Sequence, residues 1–478
     1  MQYVSTRDAR RPPERLGFEA VLLAGLARDG GLYIPESWPK LDSAALRALC
    51  GRPYAEIAAA VMTPFLGSAV EAGQFRLLVE GAYANFDHAA VAPLKQLGSN
   101  LWLLELFHGP TLAFKDYALQ LVGPLFDHVL RRRGERVTIV GATSGDTGSA
   151  AIEALRDRES VDVFILYPEG RVSEVQRRQM TTVPSANVHA LAIKGTFDDC
   201  QDLVKAMFAD ARFRAAHNLS AVNSINFARV MAQVAYYVAA ALALGAPERA
   251  VSFAVPTGNF GNVYAAHVAR KLGLPIAELV IGTNQNDILT RFLNDGEMTI
   301  AGVEPSLSPS MDIQVSSNFE RLYHELKGGD GAAVAAAFKS FRATGTLPVG
   351  DAEWRNARAL FSAARFDDAD TLREIDATHR ATGELLDPHS AIAVAAARRE
   401  RSDRSAPIVA LATAHPAKFP DAVERATGIR PPLPPRLANL YEKPERTHTL
   451  PNDLSAVQSF VAARARAAKA PARAAGGH

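Results

Sequence analysis

The residue of this sequence best suited to covalent chemistry is Lys115. It follows Phe114 in the segment FHGPTLAFKD, residues 107–116, and a helical pattern begins directly after that segment. The positive end of a helix disfavours an ammonium group, and the lowered pKa that results suits a lysine that forms a Schiff base with a carbonyl compound. The competing interpretation is an ordinary lysine whose aliphatic stem covers apolar surface, and a lone Phe-Lys-Asp favours it.

Two loops of small residues could each hold an anion. The segment GATSGDTG, residues 141–148, lies between a predicted strand and a predicted helix, and so does VPTGNFGN, residues 255–262. Backbone N–H groups at the N-terminus of the following helix bind carboxylates and phosphates. For the first loop, a plain turn capped by Asp146 or Thr147 is an equal alternative.

The second of these loops favours a phosphate held by main-chain donors, because Gly258 and Gly261 let a ligand approach the backbone closely. Neither loop reads Gly-x-Gly-x-x-Gly, and no Gly-Lys-Ser or Gly-Lys-Thr follows the glycines. Nucleotide and dinucleotide binding are therefore disfavoured.

Two further segments place polar side chains beside predicted elements. The run ATAHPAKFP follows the last predicted strand, and NSINFAR, residues 223–229, precedes a long helical pattern. Thr413 in the first run could present its hydroxyl to a heteroaromatic nitrogen, whereas a hydrogen-bonded structural role is favoured for His415 over a catalytic base. In the second run, the simpler interpretation is that Asn226 is an N-cap and Arg229 a surface charge.

The elements that must position these residues form an alternating pattern from about residue 95 onward. The predicted strands are Arg136–Val140, Val161–Tyr167, Val188–Ile193, Val251–Val255, Glu278–Gly282 and Pro407–Ala412. The helical patterns between them are Tyr117–Arg132, Phe197–Asp210, Ala228–Leu244 and Asn262–Leu272, and two earlier ones are Ser43–Cys50 and Tyr54–Leu66. This alternation predicts an α/β fold with open, mostly parallel sheets and helices on both faces. Ligands bind such sheets at the carboxyl ends of the strands, where the loops described above lie.

Changes in residue pattern and composition along the chain predict three parts. Residues 1–93 mix short helices with loops and predict a small N-terminal α+β domain. Residues 94–460 predict a catalytic region of two α/β subdomains, with an Ala-rich helical insertion at about 320–400. The Ala- and Arg-rich tail, residues 461–478, is expected to be disordered, or helical only in its first part.

The composition excludes several classes of function. Lys plus Arg total 52 and Asp plus Glu total 51, so the net charge gives no general attraction to nucleic acid or to an anionic membrane. The only cysteines are Cys50 and Cys200, too few for a disulfide framework. The start lacks the apolar core of a signal peptide, and no stretch approaches about 18 unbroken apolar residues. We therefore expect a cytoplasmic protein with a small-molecule substrate and no metal site.

Four of the loops together resemble the tryptophan-synthase-β-like class of pyridoxal-phosphate enzymes, also called fold-type II, and within it the threonine synthase family. The strings that carry the resemblance are GPTLAFKD, GATSGDTG, PTGNFGN and TAHPAKFP, and the opening MQYVSTR and the later SMDI also match. The likeness spans nearly the whole chain apart from the tail. It is strongest to the microbial branch, which has a separate N-terminal domain and lacks the plant extension that responds to S-adenosylmethionine.

The resemblance implies that the cofactor is pyridoxal 5'-phosphate, attached to Lys115, which then moves protons among the substrate carbons. It implies that residues 258–262, called the glycine loop below, bind the cofactor phosphate. It also implies that Asp146 lies near the 3'-oxygen and that Thr413 faces the pyridine nitrogen. Related enzymes often have Asn where this chain has Asp146, and a carboxylate beside a phenolate needs a proton or an offsetting donor. The implied cofactor-binding residues are Lys115, Asp146, Gly258, Asn259, Phe260, Gly261, Asn262 and Thr413.

The resemblance also assigns the substrate contacts. It places four residues on the substrate carboxylate: Thr143, Ser144, Gly145 and Thr147. It places three on the leaving phosphate: Asn223, Ser224 and Arg229. Arginine suits bidentate phosphate contact. The implied reaction converts O-phospho-L-homoserine and water to L-threonine and phosphate by γ-elimination and β-hydration. The alternatives are a phospho-amino-acid lyase that releases a 2-oxo acid, ammonia and phosphate, and a catalytically silent binding or regulatory homologue. The sequence does not distinguish a monomer from a homodimer.

Overall fold

The computed structural model describes residues 1–221 and 223–466. The chain forms two compact units, the first built from residues 1–121 and 224–437 and the second from residues 122–223 and 438 onward. The strands are β1 (Tyr3–Ser5), β2 (Tyr33–Pro35), β3 (Leu94–Gly98), β4 (Leu101–Glu105), β5 (Val137–Ala142), β6 (Val161–Pro168), β7 (Val188–Lys194), β8 (Leu219–Ser220), β9 (Val251–Pro256), β10 (Ile276–Thr283), β11 (Phe361–Arg365), β12 (Ile408–Ala412) and β13 (Thr447–Pro451).

The helices vary from two turns to five. They are α1 (Phe18–Ala24), α2 (Ser43–Leu49), α3 (Tyr54–Leu66), α4 (Ala72–Tyr83), α5 (Lys115–Arg133), α6 (Asp146–Leu155), α7 (Glu174–Thr181), α8 (Phe197–Ala209), α9 (Ala211–His217), α10 (Phe227–Ala243), α11 (Gly261–Leu272), α12 (Ile288–Asp295), α13 (Phe319–Leu326), α14 (Gly331–Thr344), α15 (Asp351–Arg358), α16 (Asp368–Thr382), α17 (Pro388–Glu400), α18 (Pro420–Thr427) and α19 (Leu454–Ala462). Single turns of 3₁₀ helix lie at Pro309–Met311, Pro416–Lys418, Pro435–Leu437 and Leu440–Glu442.

The first unit contains a six-stranded sheet with the strand order β11-β10-β9-β12-β4-β3. Neighbouring strands pair in parallel except β3 and β4, which are antiparallel. β9 reads VSFAVP and β12 reads IVALA, and every residue of both strands is buried. Central parallel strands are buried on both faces and therefore need nearly continuous apolar runs such as these.

Helix α17 covers this sheet closely, packing on β9, β10 and β12. Its sequence PHSAIAVAAARRE is rich in alanine, and residues 388–397 are all buried. A Cβ atom on Gly282 of β10 would lie 2.8 Å from Ile392 Cγ2 of this helix. Small residues on both elements thus allow the close approach.

The N-terminal residues of the first unit form the antiparallel pair β1–β2 and the helices α1 to α4. Helix α3 packs against α10. The Tyr3 ring lies 5.3 Å from the Phe227 ring of α10, and the Tyr3 hydroxyl donates to Phe65 O at 2.7 Å. The start of the chain is therefore anchored to the first residue of α10.

The second unit contains a five-stranded parallel sheet with the strand order β13-β7-β6-β5-β8. The central strand β6 reads VDVFILYP and is buried throughout. Its Phe164 and Leu166 form a core with Leu191, Met207 and Val457. This core supports the loop that leaves the carboxyl end of β5.

The predicted fold class is confirmed: both units are α/β with mostly parallel sheets. Each predicted strand and helix is observed, and its ends differ by no more than two residues from the prediction. The patterns did not predict β4, although LWLLE is an apolar run, nor the short strands β1, β2, β3, β8, β11 and β13.

Residues 320–400 differ from the predicted helical insertion. They include β11, which pairs with β10 at the edge of the six-stranded sheet, and α17, which packs on its central strands. The segment is therefore part of the sheet and its helical cover. The sequence of β11, FSAAR, lacks β-branched residues, so periodicity gave no signal for a strand there.

The predicted disordered tail, residues 461–478, falls mostly outside the described residues, which end at 466. Helix α19 ends at Ala462. None of the helices in residues 1–221 and 223–466 combines the length and the apolar character needed to cross a membrane.

Candidate active site

Three neighbouring parallel strands of the first unit, β4, β12 and β9, end at the same edge of the sheet. The segment that carries Lys115 follows β4, Thr413 follows β12, and the glycine loop follows β9. Parallel α/β sheets bind ligands at this edge. The topology therefore brings these three predicted site elements together in the first unit.

The Lys115 segment is laid against the residues that follow β12. Phe114 N donates to Thr413 O at 2.9 Å, and His415 N donates to Leu112 O at 3.0 Å. Ala113 and Ala414 form an antiparallel bridge between these contacts. Backbone hydrogen bonds thus fix the residue before Lys115 against Thr413.

Lys115 is the first residue of α5, as its predicted position at a helix start requires, and only 8% of it is exposed. Its Nζ lies 5.7 Å from the centroid of the Phe114 ring. Leu112, three residues earlier, has a φ of 61°, a left-handed conformation that is uncommon outside glycine and often marks functional loops. The lysine is therefore buried beside an aromatic ring, at the end of a turn held by tertiary contacts.

Asp116 closes the turn before Lys115. Its carboxylate accepts hydrogen bonds from the Thr111 backbone N–H and from the Thr111 hydroxyl, both at 2.8 Å. Lys418 Nζ donates to Thr111 O at 2.7 Å. Burial raises the pKa of Asp116, and the Thr111 donors and the nearby Lys418 oppose this shift. Asp116 therefore shapes the loop that presents its neighbour.

The glycine loop offers backbone and side-chain donors. Phe260 adopts a left-handed φ of 61° at the N-cap of α11, and its ring packs on Phe319 at 5.4 Å. A Cβ atom on Gly258 would lie 2.9 Å from Ser310 O, so this position has no room for a side chain. The Asn262 amide oxygen accepts from Tyr237 at 2.7 Å, whereas its buried Nδ2 has no hydrogen-bond partner in the part of the chain that the structure describes.

Arg229 is a buried guanidinium with unused donors. Only 4% of the residue is exposed, and its Nε and Nη1 have no hydrogen-bond partner among residues 1–221 and 223–466. Burial lowers the pKa of Arg229 to about 10, so it remains charged at neutral pH. The interpretation of Arg229 as a surface charge is wrong, because α10 is buried over its whole first turn. A buried, unpaired cation calls for an anionic ligand.

The neighbouring Asn226 has a structural role, as its sequence position suggests. Its side-chain oxygen accepts from Ala228 N at 3.0 Å and caps α10, while its Nδ2 donates to Leu22 O at 2.8 Å. These contacts fix the start of the helix that carries Arg229. Ser224, two residues earlier, is half-buried.

The backbone of Thr413 is held by a buried polar cluster that the sequence patterns did not reveal. Thr413 N donates to Ser390 Oγ at 3.1 Å, and the Ser390 hydroxyl donates to Asp387. Asp387 also contacts His389 Nδ1 at 2.6 Å. The signal for this cluster is DPHS at the start of α17, where Asp387 is the N-cap.

His415 caps a turn of 3₁₀ helix. Its Nδ1 accepts a hydrogen bond from Ala417 N at 3.1 Å, a contact that requires an unprotonated Nδ1. Burial, aided by the nearby His108, lowers the pKa of His415 from 6.5 to about 4. These contacts support the structural role over that of a catalytic base.

His415 is therefore expected to destabilise the folded protein in acid. Because its folded pKa lies below its unfolded value, its contribution to the free energy of unfolding is present above pH 6.5 and is lost as the pH falls toward 4. When the pH falls from 7.5 to 5, the free energy of unfolding of the wild type should fall by about 2 kcal/mol more than that of His415→Asn. The asparagine keeps an acceptor for Ala417 N. Urea unfolding at both pH values measures the difference, and equal losses would contradict the buried neutral imidazole.

In the second unit, the loop after β5 is organised by Thr143. Its hydroxyl oxygen accepts from Gly145 N at 2.9 Å and from Gly148 N at 2.8 Å. Gly145 has a φ of 131°, which favours glycine. Thr143 thus shapes the loop, and its hydroxyl proton can still be donated to a ligand. Ser144 and Thr147 are half-buried in the same loop.

Asp146 begins α6 and is paired with a residue that the sequence analysis missed. Gln176 Nε2 donates to Asp146 Oδ1 at 2.8 Å, and both side chains are buried. Gln176 is held in place by a capping box with Ser173 at the start of α7. The offsetting donor that a buried carboxylate needs is therefore supplied by Gln176. Asn223, the other predicted substrate residue of this unit, is half-buried.

The first unit fits pyridoxal phosphate. A buried lysine can attach an aldehyde. The glycine loop combines close backbone approach with the Asn262 Nδ2, which has no hydrogen-bond partner among the described residues. Thr413 is a neutral hydroxyl beside the Lys115 segment and suits contact with a pyridine nitrogen. These features meet the requirements of an aldehyde, a phosphate and a heteroaromatic ring.

Comparison with known proteins gives the same result. The family models for the threonine synthase N terminus, for pyridoxal-phosphate-dependent enzymes and for the threonine synthase C-terminal region match residues 2–83, 88–414 and 390–461. A threonine synthase from Pseudomonas aeruginosa is 55% identical over 462 residues, which cover 96% of this chain and 98% of that protein. A threonine synthase from Saccharomyces cerevisiae is 43% identical over 457 residues, covering 89% and 88% of the two chains.

A solved structure supports the assignment. The crystal structure of pyridoxal-phosphate-bound threonine synthase from Brucella melitensis matches with a TM-score of 0.95 and 53% identity, covering 98% of this chain and 100% of that one. Both the sequence and the backbone are thus similar over almost the full length. The chain belongs to the threonine synthase family of pyridoxal-phosphate-dependent enzymes.

Proposed function

We propose that the protein converts O-phospho-L-homoserine and water to L-threonine and inorganic phosphate. The observation that carries this proposal is the buried Arg229, whose Nε and Nη1 have no partner among the described residues. A buried guanidinium with unused donors suits a phosphate dianion, which supplies both the opposite charge and acceptor oxygens. Because the substrate carboxylate is assigned to the loop after β5, an unphosphorylated amino acid would bring no second anion to Arg229.

The cofactor contacts that we propose are those given by the family resemblance. Lys115 attaches pyridoxal phosphate covalently, and residues 258–262 bind its phosphate through backbone N–H groups and the Asn262 amide. Thr413 would hold the pyridine nitrogen, and Asp146, supported by Gln176, would lie near the 3'-oxygen. When bound, pyridoxal phosphate draws electrons away from the substrate carbons, which stabilises the charge left when a proton is removed.

Lys115 then acts as the proton carrier. Its Nζ takes the α proton of the substrate, gives it up, and then takes the β proton. It returns a proton to the γ carbon after phosphate has left, and a proton to the α carbon after water has added at the β carbon. Lys115 lies at the start of α5 with only 8% of the residue exposed, so its amine is held in a defined place for proton transfer. The same burial limits the access of water before the hydration step.

The substrate contacts fall into two groups. Thr143, Ser144, Gly145 and Thr147 bind the substrate carboxylate through hydroxyl and backbone donors at the start of α6. Asn223, Ser224 and Arg229 bind the phosphate that becomes the leaving group. Arg229 supplies the charge, and Asn226 fixes the helix that carries it.

The wider assignments follow from the same resemblance. Residues 1–93 form the N-terminal domain and residues 94–460 the catalytic region, with the cofactor and a small-molecule substrate as ligands. We place the protein in the cytoplasm, where the two cysteines stay reduced.

Product analysis tests the proposed reaction. Purified protein with pyridoxal phosphate and O-phospho-L-homoserine should release phosphate and L-threonine in equal amounts, and Lys115→Ala serves as the blank. Phosphate matched by 2-oxobutyrate would identify the lyase instead. Absence of phosphate release from the wild type would support the catalytically silent homologue.

A further inference from the structure

Asn318 connects two loops of the first unit. Its Nδ2 donates to Ser224 O at 3.2 Å and to Asn259 O at 3.0 Å, and its backbone N–H also donates to Asn259 O, at 3.1 Å. Asn259 belongs to the glycine loop, and Ser224 precedes α10. A single fully buried side chain therefore ties one loop to the other.

Arg321 holds Asn318 in this orientation. Its Nη1 donates to Asn318 Oδ1, its Nη2 donates to Ile225 O at 2.5 Å, and its Nε donates to Tyr33 O at 3.1 Å. Arg321 is fully buried, and burial lowers its pKa to about 10. Because the Asn318 oxygen accepts from a guanidinium, the Asn318 Nδ2 must point toward the two loop carbonyls.

The two loops leave little room between them. A Cβ atom on Gly261 would lie 3.2 Å from Asn318 Nδ2 and 3.8 Å from Ser224 O. Ser316, two residues before Asn318, donates its hydroxyl to Gly258 O at 2.6 Å. Closely packed and hydrogen-bonded loops transmit small displacements to one another.

We propose that Asn318, oriented by Arg321, is a positioning residue that couples the cofactor-phosphate site to the substrate-phosphate site. This inference rests on the proposed function, which assigns the glycine loop to the cofactor phosphate and Arg229 to the substrate phosphate. Ile225, which accepts from Arg321, directly precedes Asn226, the N-cap of the helix that carries Arg229. The contacts therefore run without a break from the glycine loop to the helix start.

The coupling is reciprocal, as linkage requires. Occupation of the glycine loop by the cofactor phosphate fixes Asn259 O, and through Asn318 it fixes Ser224 and the start of α10. Arg229 is then held in place before the substrate arrives, so less ordering is needed on binding. Loss of the Asn318 donor should weaken phosphate binding, although the Asn318 amide is engaged by Ser224 O, Asn259 O and Arg321.

The holoenzyme provides the test, with inorganic phosphate as the probe of the substrate-phosphate site. In the wild type, saturating inorganic phosphate is expected to shift the ³¹P resonance of the bound cofactor. Asn318→Asp replaces the donor by a carboxylate facing two carbonyls, so it should abolish this shift and raise the dissociation constant of inorganic phosphate about tenfold or more. Arg321→Lys keeps the positive charge but loses the several guanidinium donors. It should reduce the ³¹P shift and raise the dissociation constant of inorganic phosphate to a smaller extent.

Asn187→Asp is the matched control. Asn187 is also a buried amide whose Nδ2 donates to several carbonyls, those of Leu155, Arg158 and Val161, but it and these partners belong to the second unit. It should lose stability and keep both the ³¹P response and the affinity for phosphate.

Three results would overturn the inference. An unchanged ³¹P response and phosphate affinity in both Asn318→Asp and Arg321→Lys would remove the positioning role. Equal loss in Asn187→Asp would reduce it to a general effect of destabilisation. A wild-type holoenzyme that fails to bind inorganic phosphate would remove the proposed substrate-phosphate site as well, whereas the first two results leave the proposed function intact.

Discussion

Replacement of Lys115 by alanine is expected to lower kcat by about a thousandfold or more, since both covalent attachment of the cofactor and proton transfer depend on its amine. The fold should survive, because Lys115 is the first residue of α5 and the loop before it is held by Asp116, Thr111 and Lys418. The measurement is the rate of phosphate release from O-phospho-L-homoserine, together with urea unfolding of the same preparation.

Lys115→Arg tests whether activity depends on the amine itself or only on its positive charge. Arginine keeps a positive group at the start of α5, but a guanidinium is not deprotonated in proteins and cannot serve as nucleophile or base. It should be as inactive as Lys115→Ala. A small primary amine added to Lys115→Ala should restore part of the rate, because it can replace the missing group. Retention of more than about a tenth of the wild-type kcat in both variants would contradict the role of Lys115, as a proton carrier contributes at least ~100-fold.

The fold could be predicted largely from the sequence because periodicity reports burial. β6 and β9 are buried and mostly apolar runs between loops, which is typical of parallel strands covered on both faces. β11 was missed because FSAAR carries neither the alternation nor the β-branched residues of a typical strand. It forms because β10 offers an edge with which it can pair, which is a tertiary effect.

The candidate site was predictable where a short segment carries the chemistry. The glycine loop and the Lys115 segment are contiguous strings, and the structure places both at the carboxyl ends of parallel strands. Partners distant in sequence gave no such signal. Gln176 reaches Asp146 across 30 positions, and Asn318 reaches Ser224 across 94. Single-sequence patterns do not encode such pairs.

For Arg229 the sequence pattern predicted the wrong environment. Its position in the first turn of a helix suggested a surface charge, because arginine is rarely fully buried without a partner. The structure buries it, and its Nε and Nη1 have no partner within residues 1–221 and 223–466, which is costly for a buried charge. Functional residues often break the stability rules in this way, so the failure of the simple interpretation is itself a pointer to function.

Replacement of Arg229 by methionine is expected to lower kcat/KM for O-phospho-L-homoserine by about a hundredfold or more, because the phosphate loses a buried charged partner. The same change should raise the free energy of unfolding of the ligand-free protein by about 1–2 kcal/mol, since it removes an unpaired buried charge and keeps most of the apolar volume. A gain in stability combined with a loss of activity is the signature of a binding residue.

Arg321→Met is the matched control for that prediction. Both arginines are buried with a lowered pKa, but Arg321 donates to Tyr33 O, Asn318 and Ile225 O, so its removal leaves buried acceptors unpaired. It should cost about 3–5 kcal/mol of unfolding free energy. Inorganic phosphate should raise the urea midpoint of the wild type and leave that of Arg229→Met unchanged, because only a site that binds the folded state stabilises it. If Arg229→Met were stabilised by phosphate as strongly as the wild type, or kept kcat/KM within about tenfold of it, the leaving phosphate would have to bind elsewhere.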